Sequence, residues 1–201
     1  MRRLPVYLLL DTSGSMSGEP IEAVKNGVQI MISSLRQNPQ AIETAFLSVI
    51  TFDSTANQII PLTDLASFQM VDIRATGVTA LGEALKLVAH KIDTEVQKTT
   101  TEQKGDWKPL VFIMTDGIPT DDWQNGLNEF RKSKVAFTVA CAAGSGADTN
   151  ILKQITENVV SLDTADSASI GKFFQWVTAS IGVSSTKVED SGKEVTGLNE
   201  L

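Results

Sequence analysis

Asp11, Ser13 and Ser15 alternate along the stretch Asp11-Thr12-Ser13-Gly14-Ser15-Met16-Ser17-Gly18. In an extended or gently turning segment their oxygens converge on one point while Thr12 faces away. One carboxylate and two hydroxyls suit a hard divalent cation, and nothing soft is offered. Gly14 and Gly18 let the backbone turn tightly around such a centre. Two further polar loops carry oxygen donors: Ala75-Thr76-Gly77-Val78-Thr79, and Asp116-Gly117. A hydrolytic metal site also needs a positioned base or electrophile, and none is evident beside these residues. His90, the single histidine, falls about 180° from Leu81 on a helical wheel and reads as a solvated surface residue.

The elements that must position these loops follow from hydropathy. Val6 to Leu10 is an apolar run closed by small and hydroxylic residues, a buried strand ending abruptly at Asp11. Pro20 opens a helix through Ile21, Val24, Val28, Ile32 and Leu35 that is expected to end near Asn38-Pro39. Ala45 to Phe52 reads as a strand, and five turn-type residues, Asp53 to Asn57, join it to a short strand Gln58 to Pro61 in a hairpin. Thr63 to Arg74 is ambiguous, with a short helix around Leu65 to Met70 as one reading. Leu81, Leu85, Val88, Ile92 and Val96 form one helical stripe. Pro109 to Thr115 is a second buried strand ending at a carboxylate, Asp116. Asp121 is placed to cap the next helix, with Trp123, Leu127 and Phe130, and Gln124 suits a capping box. Strand Val135 to Ala142, a short helix opened by Asp148, strand Val159 to Leu162 and helix Ser167 to Ile181 complete the pattern.

Strands alternating with helices imply an α/β fold: a doubly wound, Rossmann-like, mostly parallel sheet with one antiparallel edge strand and helices on both faces. Ligands in such a sheet bind beyond the carboxyl ends of the strands. Asp11 and Asp116 both follow buried strands, and the Thr79 loop precedes a helix that starts at the same edge. Three separate segments are thus expected to converge.

Composition narrows the function. The 201 residues, 42% hydrophobic and 20% charged, fit one domain, here 1–183, followed by a polar stretch 184–201 read as a disordered tail. The net charge is −7 and the basic residues form no run, so neither nucleic acid nor an anionic membrane is indicated as a partner. Cys141 is the one cysteine, which excludes an intramolecular disulfide and a cysteine metal cluster. No apolar run approaches the ~20 residues of a membrane span, and Arg2-Arg3 leads into no signal-peptide pattern. A cytoplasmic location is the expectation.

Asp11-Thr12-Ser13-Gly14-Ser15, Gly77-Val78-Thr79-Ala80-Leu81 and Thr115-Asp116-Gly117 resemble, in order, the three elements of the metal-ion-dependent adhesion site of von Willebrand factor A (vWA) domains. The resemblance covers roughly residues 4 to 181. It implies Mg²⁺, with Mn²⁺ as substitute, held directly by Ser13 and Ser15, directly or through water by Thr79, and through water or hydrogen bonds by Asp11 and Asp116. It also implies a non-enzymatic scaffold that docks an Asp or Glu of a protein partner. The rim of that site is expected to include Met16, Asp53, Ser54, Ile118, Pro119 and Asp121. Gly18-Glu19-Pro20-Ile21, Phe112 to Gly117 with Pro119-Thr120-Asp121, and Phe173 to Val177 further resemble the TerY-type proteins of bacterial tellurite-resistance clusters. That likeness implies a stress-response setting with a protein kinase, a PP2C-type phosphatase or another tellurite-cluster protein as partner. An assembly factor for an ATPase machine is the alternative binding role. A metal-dependent phosphoesterase is the alternative from another class, although Ser13 stands where the haloacid-dehalogenase pattern has its second Asp. No P-loop pattern is present, and Gly144-Ser145-Gly146 lacks the third glycine of a dinucleotide fingerprint.

Overall fold

The computed structural model describes residues 2–190. Strand β1 (Leu4–Asp11) is followed by a 3-10 turn (Gly14–Met16), α1 (Glu19–Leu35), α2 (Pro39–Thr44), β2 (Ala45–Phe52), β3 (Ala56–Asp64), α3 (Leu81–Glu95), β4 (Leu110–Thr115), α4 (Trp123–Phe130), β5 (Phe137–Ala143), α5 (Thr149–Ile155), β6 (Val159–Leu162) and α6 (Ser167–Asp190). The six strands form one sheet in the order β3-β2-β1-β4-β5-β6. All pairings are parallel except that of β2 with β3, which puts one antiparallel strand at the edge.

β1 is buried along its whole length because both sheet faces are covered. Leu4, Val6, Leu8 and Leu10 point into a core shared with α1 and α6, and the intervening Tyr7 and Leu9 point into a second core shared with α3 and α4. The chain winds outward from β1 to β2 on one side and returns to β4 on the other. The sheet order therefore reverses between β1 and β4, and a crevice opens beyond their carboxyl ends. The register sets Leu10 opposite Met114. The next residues, Asp11 and Thr115, thus leave the sheet side by side.

Four local readings are corrected. Asn38 opens a helix rather than closing one: its side chain accepts from Ala41 N (3.0 Å), and Pro39 takes the first position of α2. β3 (Ala56–Asp64) extends beyond Gln58–Pro61 at both ends and finishes at Asp64, paired to Phe46. Leu65 to Met70 is a turn and irregular chain, not a helix. Leu65 and Phe68 are buried there because Arg36 donates to the carbonyls of Leu65 (2.8 Å) and Phe68 (2.6 Å) and ties the segment to α1. Helix α6 continues past Ile181 to Asp190 with Ser184 and Ser185 buried, so the expected boundary at 183/184 falls inside a helix. The remainder of the expected tail, 191–201, lies outside the described residues. Among the described residues no helix is long and apolar enough to cross a membrane.

Candidate functional site

The five predicted donors come together at the crevice between β1 and β4. Asp11, the last residue of β1, is fully buried. Its Oδ1 accepts from Ser13 N (2.7 Å) and its Oδ2 from Thr115 Oγ1 (2.6 Å). Burial pushes the Asp11 carboxyl above the usual carboxylate range, and the neighbouring Asp116 adds to the rise; the bonds from Ser13 and Thr115 oppose it. Asp11 thus sits at the floor of the site with both oxygens engaged, shaping the loop above.

Over that floor runs a chain of oxygens. Ser13 Oγ lies 3.0 Å from Ser15 Oγ, and Ser15 Oγ donates to Asp116 Oδ1 at 2.7 Å. An octahedral Mg²⁺ shell with bonds near 2.05 Å has adjacent oxygens about 2.9 Å apart. The separation of the two serine hydroxyls is close to that edge length, and hydroxyl oxygens are a donor type such an ion takes. Among the described residues no group of three or more His, Cys, Asp or Glu side chains is placed to hold a metal. The oxygens gathered at this crevice are instead a mixture of hydroxyls and single carboxylates.

Thr79 completes the ring. A Cβ built on Gly117 would stand 3.4 Å from Thr79 Oγ1, so the Thr79 hydroxyl lies against the turn that follows Asp116. Backbone bonds lash the loops together: Gly14 N donates to Gly77 O (3.0 Å), Thr76 N to Thr12 O (2.8 Å) and Ala80 N to Asp53 O (2.7 Å). Gly77 has φ +72°, and a side chain there would run into Ser54 Oγ. Glycine is required at that turn for both reasons.

The structure also gives positions to Thr120, which the expected rim did not include, and to Asp121, which it did. Thr120 N donates to Thr79 O (2.9 Å), and Thr79 N donates to Thr120 Oγ1 (3.1 Å). Asp121 does not cap α4. Its carboxylate accepts from Gly82 N (3.0 Å) and Glu83 N (2.8 Å), capping α3 across the site, while Asp122 caps α4 through Asn125 N (3.2 Å). Two adjacent aspartates before a helix announce a cap, but only the tertiary contact decides which helix each one serves. Of the other expected rim residues, Met16 is fully buried and turns into the core beneath α1. Ser54 and Ile118 are exposed, and Asp53 and Pro119 are half-buried. Thr12 faces away from the donors as expected, its hydroxyl 3.3 Å from Asp53 Oδ2. His90 is exposed on α3.

The family model of the von Willebrand factor type A domain matches residues 6–176. The chain belongs to that family. Within it, this vWA domain is 32% identical over 123 residues to an uncharacterized protein of Synechocystis sp., an overlap covering 58% of this chain and 26% of that protein. Among solved structures, proximal thread matrix protein 1 from the mussel byssus, with a zinc-occupied MIDAS motif, superposes with a TM-score of 0.65 at 20% identity, covering 92% of this chain and 46% of the other. A von Willebrand factor type A protein from Catenulispora acidiphila gives 0.67 at 17% identity, covering 90% and 43%. The PilB minor pilin from Streptococcus sanguinis gives 0.70 at 13% identity, covering 96% and 64%. At these identities the structural likeness shows the fold alone. The vWA domain spans about a quarter of the Synechocystis protein and less than half of the mussel and Catenulispora chains.

Proposed function

We propose that this vWA domain is a metal-dependent protein-docking module. In this reading Ser13, Ser15 and Thr79 hold a Mg²⁺ ion, which Mn²⁺ replaces, and Asp11 and Asp116 act through water or hydrogen bonds. The observation that carries the reading is the continuous run Ser13–Ser15–Asp116 at 3.0 and 2.7 Å above a buried Asp11. Hydroxyl donors with carboxylates held behind them leave a divalent ion under-neutralised. When bound, the ion supplies a positive pole for an Asp or Glu of a protein partner. Asp11 keeps Ser13 in place through the Ser13 amide, and Asp116 orients the Ser15 hydroxyl. The Asp11 carboxylate has both oxygens engaged by Ser13 and Thr115, and the Asp116 carboxylate accepts from Ser15, which supports binding rather than turnover. The TerY-type motifs support a bacterial, intracellular stress-response setting, with a partner drawn from a protein kinase, a PP2C-type phosphatase or another tellurite-cluster protein.

The test is a calorimetric titration of the wild type and of Ser13→Ala/Ser15→Ala with Mg²⁺ and Mn²⁺, with and without acetate. Binding by the wild type, tightened by acetate and abolished in a folded double mutant, is the expected result. Equal metal binding by the two proteins would sink the assignment.

A further inference from the structure

The rim of the proposed metal site has a one-sided charge. The four loops that build it, residues 11–18, 53–57, 75–83 and 115–122, contain no Lys or Arg. They carry Asp11, Asp53, Glu83, Asp116, Asp121 and Asp122, and among the described residues none of these takes part in an ion pair. Their partners are neutral donors: Asp53 accepts from the Thr12 hydroxyl, Glu83 from Ala56 N (3.3 Å), and Asp121 from the Gly82 and Glu83 amides. Such bonds fix the carboxylates in place while leaving their charge uncompensated. One divalent ion leaves this face net negative.

Two exposed aliphatic side chains stand in the same ring. Val78, next to Thr79, is 50% exposed, and Ile118, two residues after Asp116, is 59% exposed. The Thr79–Thr120 backbone pairing brings their loops into contact. Of the large apolar side chains exposed among the described residues, these two lie on the loops that carry Thr79 and Asp116.

From this combination we infer that the face accepts a protein segment carrying a single Asp or Glu among aliphatic and Lys or Arg residues. This rests on the metal-docking reading above. The lone carboxylate goes to the metal, the aliphatic neighbours cover Val78 and Ile118, and the cations face Asp53, Glu83 and Asp121. A second carboxylate in the segment meets charges that nothing neutralises, so acidic runs are rejected although the metal attracts an acid.

The experiment is selection of a random peptide library on the immobilised, Mn²⁺-loaded full chain, with elution by EDTA. Enriched peptides are expected to carry one acidic residue with aliphatic and basic residues within about three positions, roughly the reach of an extended segment across a small patch. Changing the flanking Lys or Arg of an enriched peptide to Glu is expected to weaken binding about tenfold at low salt and less at high salt. Val78→Ser/Ile118→Ser is expected to weaken the same peptide about tenfold, with the Mn²⁺ titration unchanged. Enrichment of acidic runs, indifference to the Lys-to-Glu change, or full peptide binding by the Val78→Ser/Ile118→Ser protein would each overturn the inference while leaving metal docking standing. Failure of Mn²⁺ to bind at all removes the docking reading itself, and the inference with it.

Discussion

Asp121→Ala separates a cap that acts across the site from one that acts along the chain. In the structure its carboxylate accepts from Gly82 N at 3.0 Å and Glu83 N at 2.8 Å, the first amides of α3, which has no side-chain cap of its own. Loss of an N-cap costs about 1–2 kcal/mol, and loss of a negative charge at a helix N-terminus adds roughly 0.3–1 kcal/mol. The variant is therefore expected to lose about 2 kcal/mol in urea denaturation. At about 2–4 °C per kcal/mol for a domain of this size, that is a fall in Tm of roughly 6 °C. Asp121→Asn keeps one acceptor oxygen and is expected to lose about half as much. The decisive assay is amide hydrogen exchange: Gly82 and Glu83 should exchange at least about tenfold faster in Asp121→Ala, following the lost cap energy, with Asn125 unaffected. Faster exchange at Asn125 with unchanged Gly82 and Glu83 would return Asp121 to α4 and refute the reasoning. The same variant frees the start of α3 beside Thr79, so Mn²⁺ affinity should fall as well.

Two further outcomes follow from the geometry. Gly77→Ala forces a side chain into a φ of +72° and against Ser54 Oγ; a loss of about 2 kcal/mol and weaker Mn²⁺ binding are expected, with Ser54→Gly restoring only the part owed to the clash. Equal stability of Gly77→Ala and wild type in thermal denaturation would contradict this. Cys141 lies fully buried in β5, where burial pushes its thiol up to about 12; it should resist a thiol-specific disulfide reagent at pH 8 in the native state and react at the rate of unfolding. Rapid labelling of the folded protein would show that β5 is open to solvent.

Much of the architecture was legible in the residues because both periodicities are strong. β1, β2 and β4 are apolar on both faces, as parallel strands between two helical layers must be. The stripes of α1 and α3 gave those helices, with starts within one or two residues of the observed ones. Asp11 and Asp116 could be brought to one edge because each ends a buried strand, and parallel strands finish at the same side of the sheet. Where small polar residues replace the apolar stripe the signal fades: Ser184 and Ser185 are buried in α6, yet read as tail. Leu65 and Phe68 misled in the opposite sense, since their burial comes from a loop tied down by Arg36 and not from a helix.

Residue type and order along the chain were enough to determine the fold class and to bring Asp11, Ser13, Ser15, Thr79 and Asp116 to one edge of the sheet. These properties depend on local periodicity and on what each side chain can offer. Which atoms meet was decided by the tertiary structure alone. The β1–β4 register put Thr115 beside Asp11, the loop packing set Thr120 against Thr79, and the approach of α3 to α4 gave Asp121 to the wrong helix by sequence and the right one by distance. Such pairings join residues tens of positions apart, and a hydrogen bond fixes its partner by geometry in space, which no local pattern encodes.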